Sequence, residues 1–191
     1  SKTAVEVCEG QQYDKDFESL TNVSEQDYLE MIRLKTSVLI AASMQMGAII
    51  GGANCDLQKK FYDFGIKTGL AFQIQDDLLD TYGNESKFGK KTGGDIEANK
   101  KTYLYVIAHK NANETQRHQL EQLFTVQDVD IVKKINSVLN IFNDLDVEAK
   151  TKNKLNQYFE DALEILYSME ISEEAKDFIK NFSQKLISRE F

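Results

Sequence analysis

The sequence predicts an all-α protein, a helical bundle, and three observations carry that prediction. Proline, the strongest helix breaker, is absent from all 191 residues, which favours long uninterrupted helices. Wherever a period is clear, apolar residues recur three and four apart, the spacing of one helix face. No segment shows the apolar–polar alternation of a half-buried strand.

Taken in order, the first clear helix start is Ser24, followed by Asp27. The pair resembles a capping box with an acid one carbon shorter than usual, and the helix it opens runs toward Gly51. Gly51-Gly52 ends that helix, and a second spans about Asp56 to Tyr82. Residues 37–53 are strongly apolar but carry Gln45 and several small side chains. They fall short of the ~20 apolar residues of a membrane span, so a buried core helix is expected there, with Met44 and Met46 as core filler. A loop rich in glycine, lysine and polar residues follows from Gly83 to Gly94. Beyond it, Val132, Ile135, Val138, Leu139 and Phe142 mark one helix face, and Leu155, Tyr158, Phe159, Ala162, Leu163 and Leu166 mark another. Tyr103 and Tyr105 read as packing residues with hydroxyls reaching a polar edge, and His109 and His118 as surface residues. No linker or repeat of fixed period interrupts the chain, so residues 1–191 are expected to form one domain.

Composition narrows the function. The chain has 41% hydrophobic and 28% charged residues, ordinary for a soluble globular protein. Its net charge of −8 argues against a broad nucleic-acid surface or an anionic-membrane surface. An anionic ligand would have to be held by a few local cations or by metal. The two cysteines, Cys8 and Cys55, form no CxxC pair and have no histidine cluster near them. A disulfide framework or zinc site is therefore not expected, and a reducing, cytoplasmic setting is. Residues 1–6 lack the basic–apolar pattern of a secretory leader.

The chemistry concentrates in Phe72-Gln73-Ile74-Gln75-Asp76-Asp77-Leu78-Leu79-Asp80. On a helix, Gln73, Asp76 and Asp80 stand on one face at i, i+3 and i+7, with Asp77 to one side. Three acids so close repel, and a like-charged i,i+4 pair alone costs ~0.2–0.5 kcal/mol. For an arbitrary motif of this kind a solvated acidic face that binds nothing is the readier reading. Apolar neighbours on both sides weaken it here without removing it, and a hard divalent cation shared with phosphate, the usual setting of Mg²⁺, stands beside it. After this helix comes Gly89-Lys90-Lys91-Thr92-Gly93-Gly94-Asp95, with Lys100 five residues on. Glycines let backbone amides approach phosphate, and Lys90 and Lys100 can bind it as point charges. By itself this reads more readily as a basic surface loop than as a phosphate site, and it is no Walker loop, lacking its strand, its first glycine and its Ser/Thr. Lys35-Thr36 lies beside the apolar segment, where a lysine either snorkels to water or aims at an anion. Gly10-Gln11-Gln12-Tyr13-Asp14 in isolation could be a turn or a helix surface.

Together and in this order, these residues resemble the trans-isoprenyl diphosphate synthase, or polyprenyl synthetase, family. The resemblance rests on Gly10-Gln11-x-x-Asp14, Lys35-Thr36, Phe72-Gln73-x-x-Asp76-Asp77-x-x-Asp80, and Gly89-Lys90-x-x-Gly93-x-Asp95 with Lys100. It covers roughly Gly10 to Lys101, and the C-terminal ninety residues match only as generic helices. It implies an all-α bundle of the isoprenoid (terpenoid) synthase type and a Mg²⁺-dependent prenyltransferase. Such an enzyme ionises an allylic diphosphate and adds isopentenyl diphosphate, giving a longer all-trans polyprenyl diphosphate. By resemblance Asp76 and Asp80 bind metal on the diphosphate, with Asp77 acting through water or as a support. Lys35, Lys90 and Lys100 contact the diphosphate, Thr36 and Gln73 lie near the allylic carbon, and Phe72 walls the pocket. A homodimer packed through apolar helices, one of them Thr36 to Ile50, is also implied, with no nucleic-acid partner and no stable membrane insertion.

The family's first aspartate-rich motif, its arginine pair and the residues that bind isopentenyl diphosphate have no counterpart in this sequence. The chain is therefore expected to be the C-terminal part of such an enzyme, with the N-terminal helices missing and negligible synthase activity alone. Two alternatives share the fold: a class I terpene cyclase, whose usual second metal motif is not at the matching position, and a non-catalytic partner subunit, for which an intact acidic set is a needless cost.

Overall fold

A computed structural model of the chain describes residues 2–83, 92–125 and 130–188, whose regular structure is all helical, without a strand. In order they form α1 (Lys2–Phe17), α2 (Glu25–Ile32), a π turn (Arg33–Ser37), α3 (Val38–Ile50) and α4 (Cys55–Tyr82). These are followed by the short α5 (Gly94–Glu97), α6 (Tyr103–Asn111), α7 (Glu114–Leu123), α8 (Ile131–Asp144), α9 (Val147–Tyr167) and α10 (Glu173–Ile187). The all-α expectation holds. None of these helices is long and apolar enough to cross a membrane.

The chain divides into two compact units. Among the described residues, the first comprises 2–13, 29–73 and 154–188, and the second 14–28, 74–83, 92–125 and 130–153. The first unit's core centres on Phe64, Ala162, Leu166 and Met169, with Met44, Leu57, Phe61, Leu163 and Ile179 packed against it. In the second, α8 packs against α5, α6 and α7, and Leu104, Leu120, Val138, Phe142 and Val147 are fully or almost fully buried.

Ser24 opens α2 as expected: its hydroxyl accepts the Asp27 N–H at 3.1 Å and donates to the Asp27 carboxylate at 2.5 Å. Several expectations need correction. The helix from Ser24 is not one regular helix, because Val38 N–H bonds to Arg33 O in a π turn between α2 and α3. Helix α3 is not wholly a core helix: Val38, Ala41 and Ala48 are buried, but Leu39, Met46, Ile49 and Ile50 are 52–87% exposed. Met44 fills core as predicted, whereas Met46 faces outward. On α8 the inward row is Lys134, Val138, Ile141 and Phe142, and Val132 lies at the surface, 62% exposed. Finally, His109 is no free surface residue, since its ring pairs with Glu121 at 2.7 Å and is only 12% exposed.

Candidate functional site

The acidic motif occupies the last turns of α4, within the second unit. A regular helix there keeps Asp76 and Asp80 one turn apart on the same face. The three carboxylates have different surroundings. Asp76 is exposed, Asp80 half-buried and Asp77 buried, only 4% exposed.

Asp77 is held by donors from two other segments. It accepts a short hydrogen bond from the Tyr28 hydroxyl of α2 and the Tyr103 N–H at 2.9 Å. The second bond satisfies an amide at the start of α6 that no carbonyl within that helix can reach, and places a negative charge where a helix N-terminus favours one. Burial above all, then the charge of Asp77, pushes the Tyr28 hydroxyl well above its ordinary range, so it remains a donor. Tyr103 completes the arrangement by donating its hydroxyl to Glu25 at 2.8 Å. Tyr103 and Tyr105 are packing residues with hydroxyls at a polar edge, as read from the sequence, the second donating to Thr21 O at 3.2 Å.

Asp80 reaches the segment beyond the loop. Its carboxylate accepts the Asp95 N–H at 2.8 Å, and its backbone carbonyl accepts the Gly93 N–H at 2.6 Å. A Cβ on Gly94 would stand 3.2 Å from Asp80 Oδ1, so the close approach suits a residue without one. Asp95 then pairs with Lys100, Nζ to Oδ1 at 2.7 Å. That bond, reinforced by the charges of Asp95, Asp14 and Asp80, raises the Lys100 pKa and keeps it a cation. Asp80, Asp95 and Lys100 thus form one connected row beside Asp14. Lys90 lies outside the described residues.

Residues that the sequence reading passed over hold Asn99, the neighbour of Lys100. Asn99 adopts a left-handed conformation, φ 59°. The buried Lys134 of α8 donates to Asn99 Oδ1 at 2.6 Å and to Glu97 O at 3.4 Å. Lys101, buried beneath the rings of Tyr105 and Phe124, reaches Asn99 O at 3.3 Å. Burial, with the Lys134 charge adding to it, lowers the Lys101 pKa to about 8. Only an unexpected lysine on the apolar face of α8 could have signalled this from sequence.

The remaining predicted residues lie in the first unit. Thr36, in the π turn, donates its hydroxyl to Gln73 Oε1 at 2.8 Å. Lys35 and Phe72 are half-buried. Gly10 of α1 packs directly on the backbone of Lys35.

As a metal site the arrangement is open. Among the described residues no three acidic, cysteine or histidine side chains form a cage of their own. Two hard-oxygen carboxylates one turn apart fit an ion such as Mg²⁺, which is commonly held by one or two carboxylates and completed by water and substrate phosphate.

Comparison with known proteins identifies the family. The sequence pattern described as polyprenyl synthetase matches residues 1–142. The chain is 39% identical over 138 residues to a short chain isoprenyl diphosphate synthase of Methanocaldococcus jannaschii, covering 71% of this chain and 42% of that protein. It is 31% identical over 190 residues to a geranylfarnesyl diphosphate synthase of Aeropyrum pernix, covering 99% and 58%. A crystal structure of a geranylgeranyl pyrophosphate synthase superimposes with a TM-score of 0.91 at 40% identity, over all of this chain and 59% of that one. The chain therefore spans about half the length of the relatives it matches. Matched over three quarters of its length, and carrying the acidic helix end and the lysine-bearing segment joined through Asp80 and Asp95, the chain belongs to the polyprenyl synthetase family.

Proposed function

We propose that the parent protein is a Mg²⁺-dependent trans-prenyltransferase that extends an allylic diphosphate with isopentenyl diphosphate, and that this chain carries the half of the site that binds and ionises the allylic diphosphate. The observation that carries the reading is the row from Asp80 through Asp95 to Lys100, with Asp76 one turn away on the same helix. An acidic protein can hold a diphosphate only where metal-binding oxygens and a fixed ammonium stand together, and this row supplies both.

In this reading Asp76 and Asp80 hold the metal, which when bound neutralises charge building on the departing diphosphate. Lys100, kept protonated by Asp95, offers a second positive charge to the same oxygens. Lys35 and Lys90 serve the same anion. Asp77 acts as a support, fixing the helix end against Tyr28 and the Tyr103 amide. Thr36 donates to Gln73 Oε1, which leaves the hydroxyl lone pairs and the amide oxygen as negative dipole ends for a developing allylic cation, beside the Phe72 ring. The exposed apolar face of α3 serves a homodimer contact. Cys8 and Cys55, both free and exposed, suit a reducing cytoplasm.

Isothermal titration of the full-length protein with an allylic diphosphate tests the proposal. Binding is expected only with Mg²⁺, and Asp76→Ala is expected to weaken it at least tenfold while kcat falls at least a hundredfold. Metal-independent binding, or unchanged binding in Asp76→Ala, rejects the reading in favour of a non-catalytic partner.

A further inference from the structure

The Lys35-Thr36 pair sits in the one π turn of the described residues. A π turn carries an extra residue, which rotates everything before it by about 100° relative to the α-helical continuation. It is a poor local arrangement that relaxes to a regular helix unless its surroundings hold it. Two glycines meet it from different helices. A Cβ on Gly10 of α1 would lie 2.3 Å from Lys35 N, 2.7 Å from Lys35 Cα and 2.8 Å from Leu34 C. A Cβ on Gly69 of α4 would lie 2.6 Å from Ser37 Cα and 2.8 Å from its Cβ and Oγ. Both contacts are backbone against backbone or nearly so, where no flexible side chain can give way. Glycine is a poor residue for a helix interior, yet one sits in each helix against the same five-residue turn. Gly10 is also the only buried residue of α1, so that helix spends its closest contact on this turn.

We propose that Gly10 and Gly69 are positioning residues: they let α1 and α4 close on the π turn and hold the rotation that sets Lys35 toward the diphosphate and Thr36 on Gln73. The proposal rests on the function given above and deepens it by assigning a task to the otherwise unexplained Gly10. Because α1 buries little else, Gly10→Ala displaces α1 and loosens the turn without opening the core. Gly65 supplies a matched comparison. A Cβ there would meet Ala41 Cα at 2.5 Å and Ala41 N at 2.9 Å, an equal crowding against α3, beyond the turn.

The test uses the full-length protein, measured for Tm and for steady-state kinetics with an allylic diphosphate at a temperature where every variant is folded. Gly10→Ala is expected to raise KM for the allylic diphosphate and lower kcat, each at least tenfold. Gly65→Ala, with an equal or larger drop in Tm, is expected to keep both within threefold. Equal kinetic losses in the two variants overturn the proposal, as does a Gly10→Ala enzyme with unchanged kinetics. Should Gly10→Ala not fold, hydrogen exchange on the wild-type protein decides. Amides of Lys35 to Val38 are expected to exchange at least tenfold more slowly than those in the last turn of α1, and equal rates overturn the proposal. A wild-type protein that fails to turn over the allylic diphosphate speaks against the proposed function, and the exchange measurement still reports on the turn.

Discussion

The two units position their functional side chains by opposite means. In the first, Gly10 and Gly69 remove atoms so that backbones touch. In the second, buried polar groups bridge segments distant in the sequence: Asp77 joins Tyr28 to Tyr103, and Lys134 and Lys101 hold Asn99. The first arrangement fails when atoms are added, the second when they are taken away. Steric contact is governed by volume, whereas a buried polar group deprived of its partner bears its full desolvation penalty.

The most severe break falls on Asp77. Asp77→Ala leaves a buried tyrosine hydroxyl and a helix-start amide without their acceptor, and is expected to cost ~3 kcal/mol in urea denaturation. Its exposed neighbour sharpens the contrast, since Asp76→Ala is expected to change stability by no more than ~0.5 kcal/mol. Similar losses in the two variants would break the distinction between an anchoring carboxylate and one proposed to hold metal.

Asn99→Ala comes next. It places a Cβ-bearing residue without a local hydrogen bond in the left-handed region and removes the acceptor of Lys134, together ~2 kcal/mol. Asn99→Gly restores the backbone freedom alone and is expected to recover about half of that loss. Full recovery would mean that the lysine contact contributes nothing.

A smaller effect is read from pH. Unfolded Lys101 holds its proton up to about 10.5, while folded Lys101 releases it near 8. Between those values the unfolded state binds more protons, so this residue makes stability rise with pH. The gain is on the order of 1 kcal/mol, allowing for screening, and Lys101→Met should flatten the rise in denaturation curves taken from pH 7.5 to 9.5. The smallest effect tests the first unit's indifference to polar pairs. Lys67 and Asp161, 2.7 Å apart and each about one-third exposed, are expected to contribute below ~1 kcal/mol in a double-mutant cycle. A coupling above that would show that polar contacts matter there as well.

Much of this was legible in the sequence. The helices announce themselves because a 3.6-residue period survives substitution, and the acidic motif because charge beside apolar residues needs a reason. The π turn was not legible: Leu34, Val38 and Ala41 are four and three apart and read as an ordinary helix face. Nor could sequence separate Asp76 from Asp77, because the difference lies in Tyr28, 49 residues away. Lys134 escaped because a lysine among apolar residues is ordinarily solvent-facing. The α3 segment reads as core because hydrophobicity does not say whose surface will cover it.

That outward face of α3 bears on any measurement of folding energy. Large aliphatic side chains turned toward water favour association, and a fold completed by association becomes more stable as molecules become more numerous. In the proposed homodimer a melting point is thus a property of the sample as well as of the molecule, and is expected to shift with dilution.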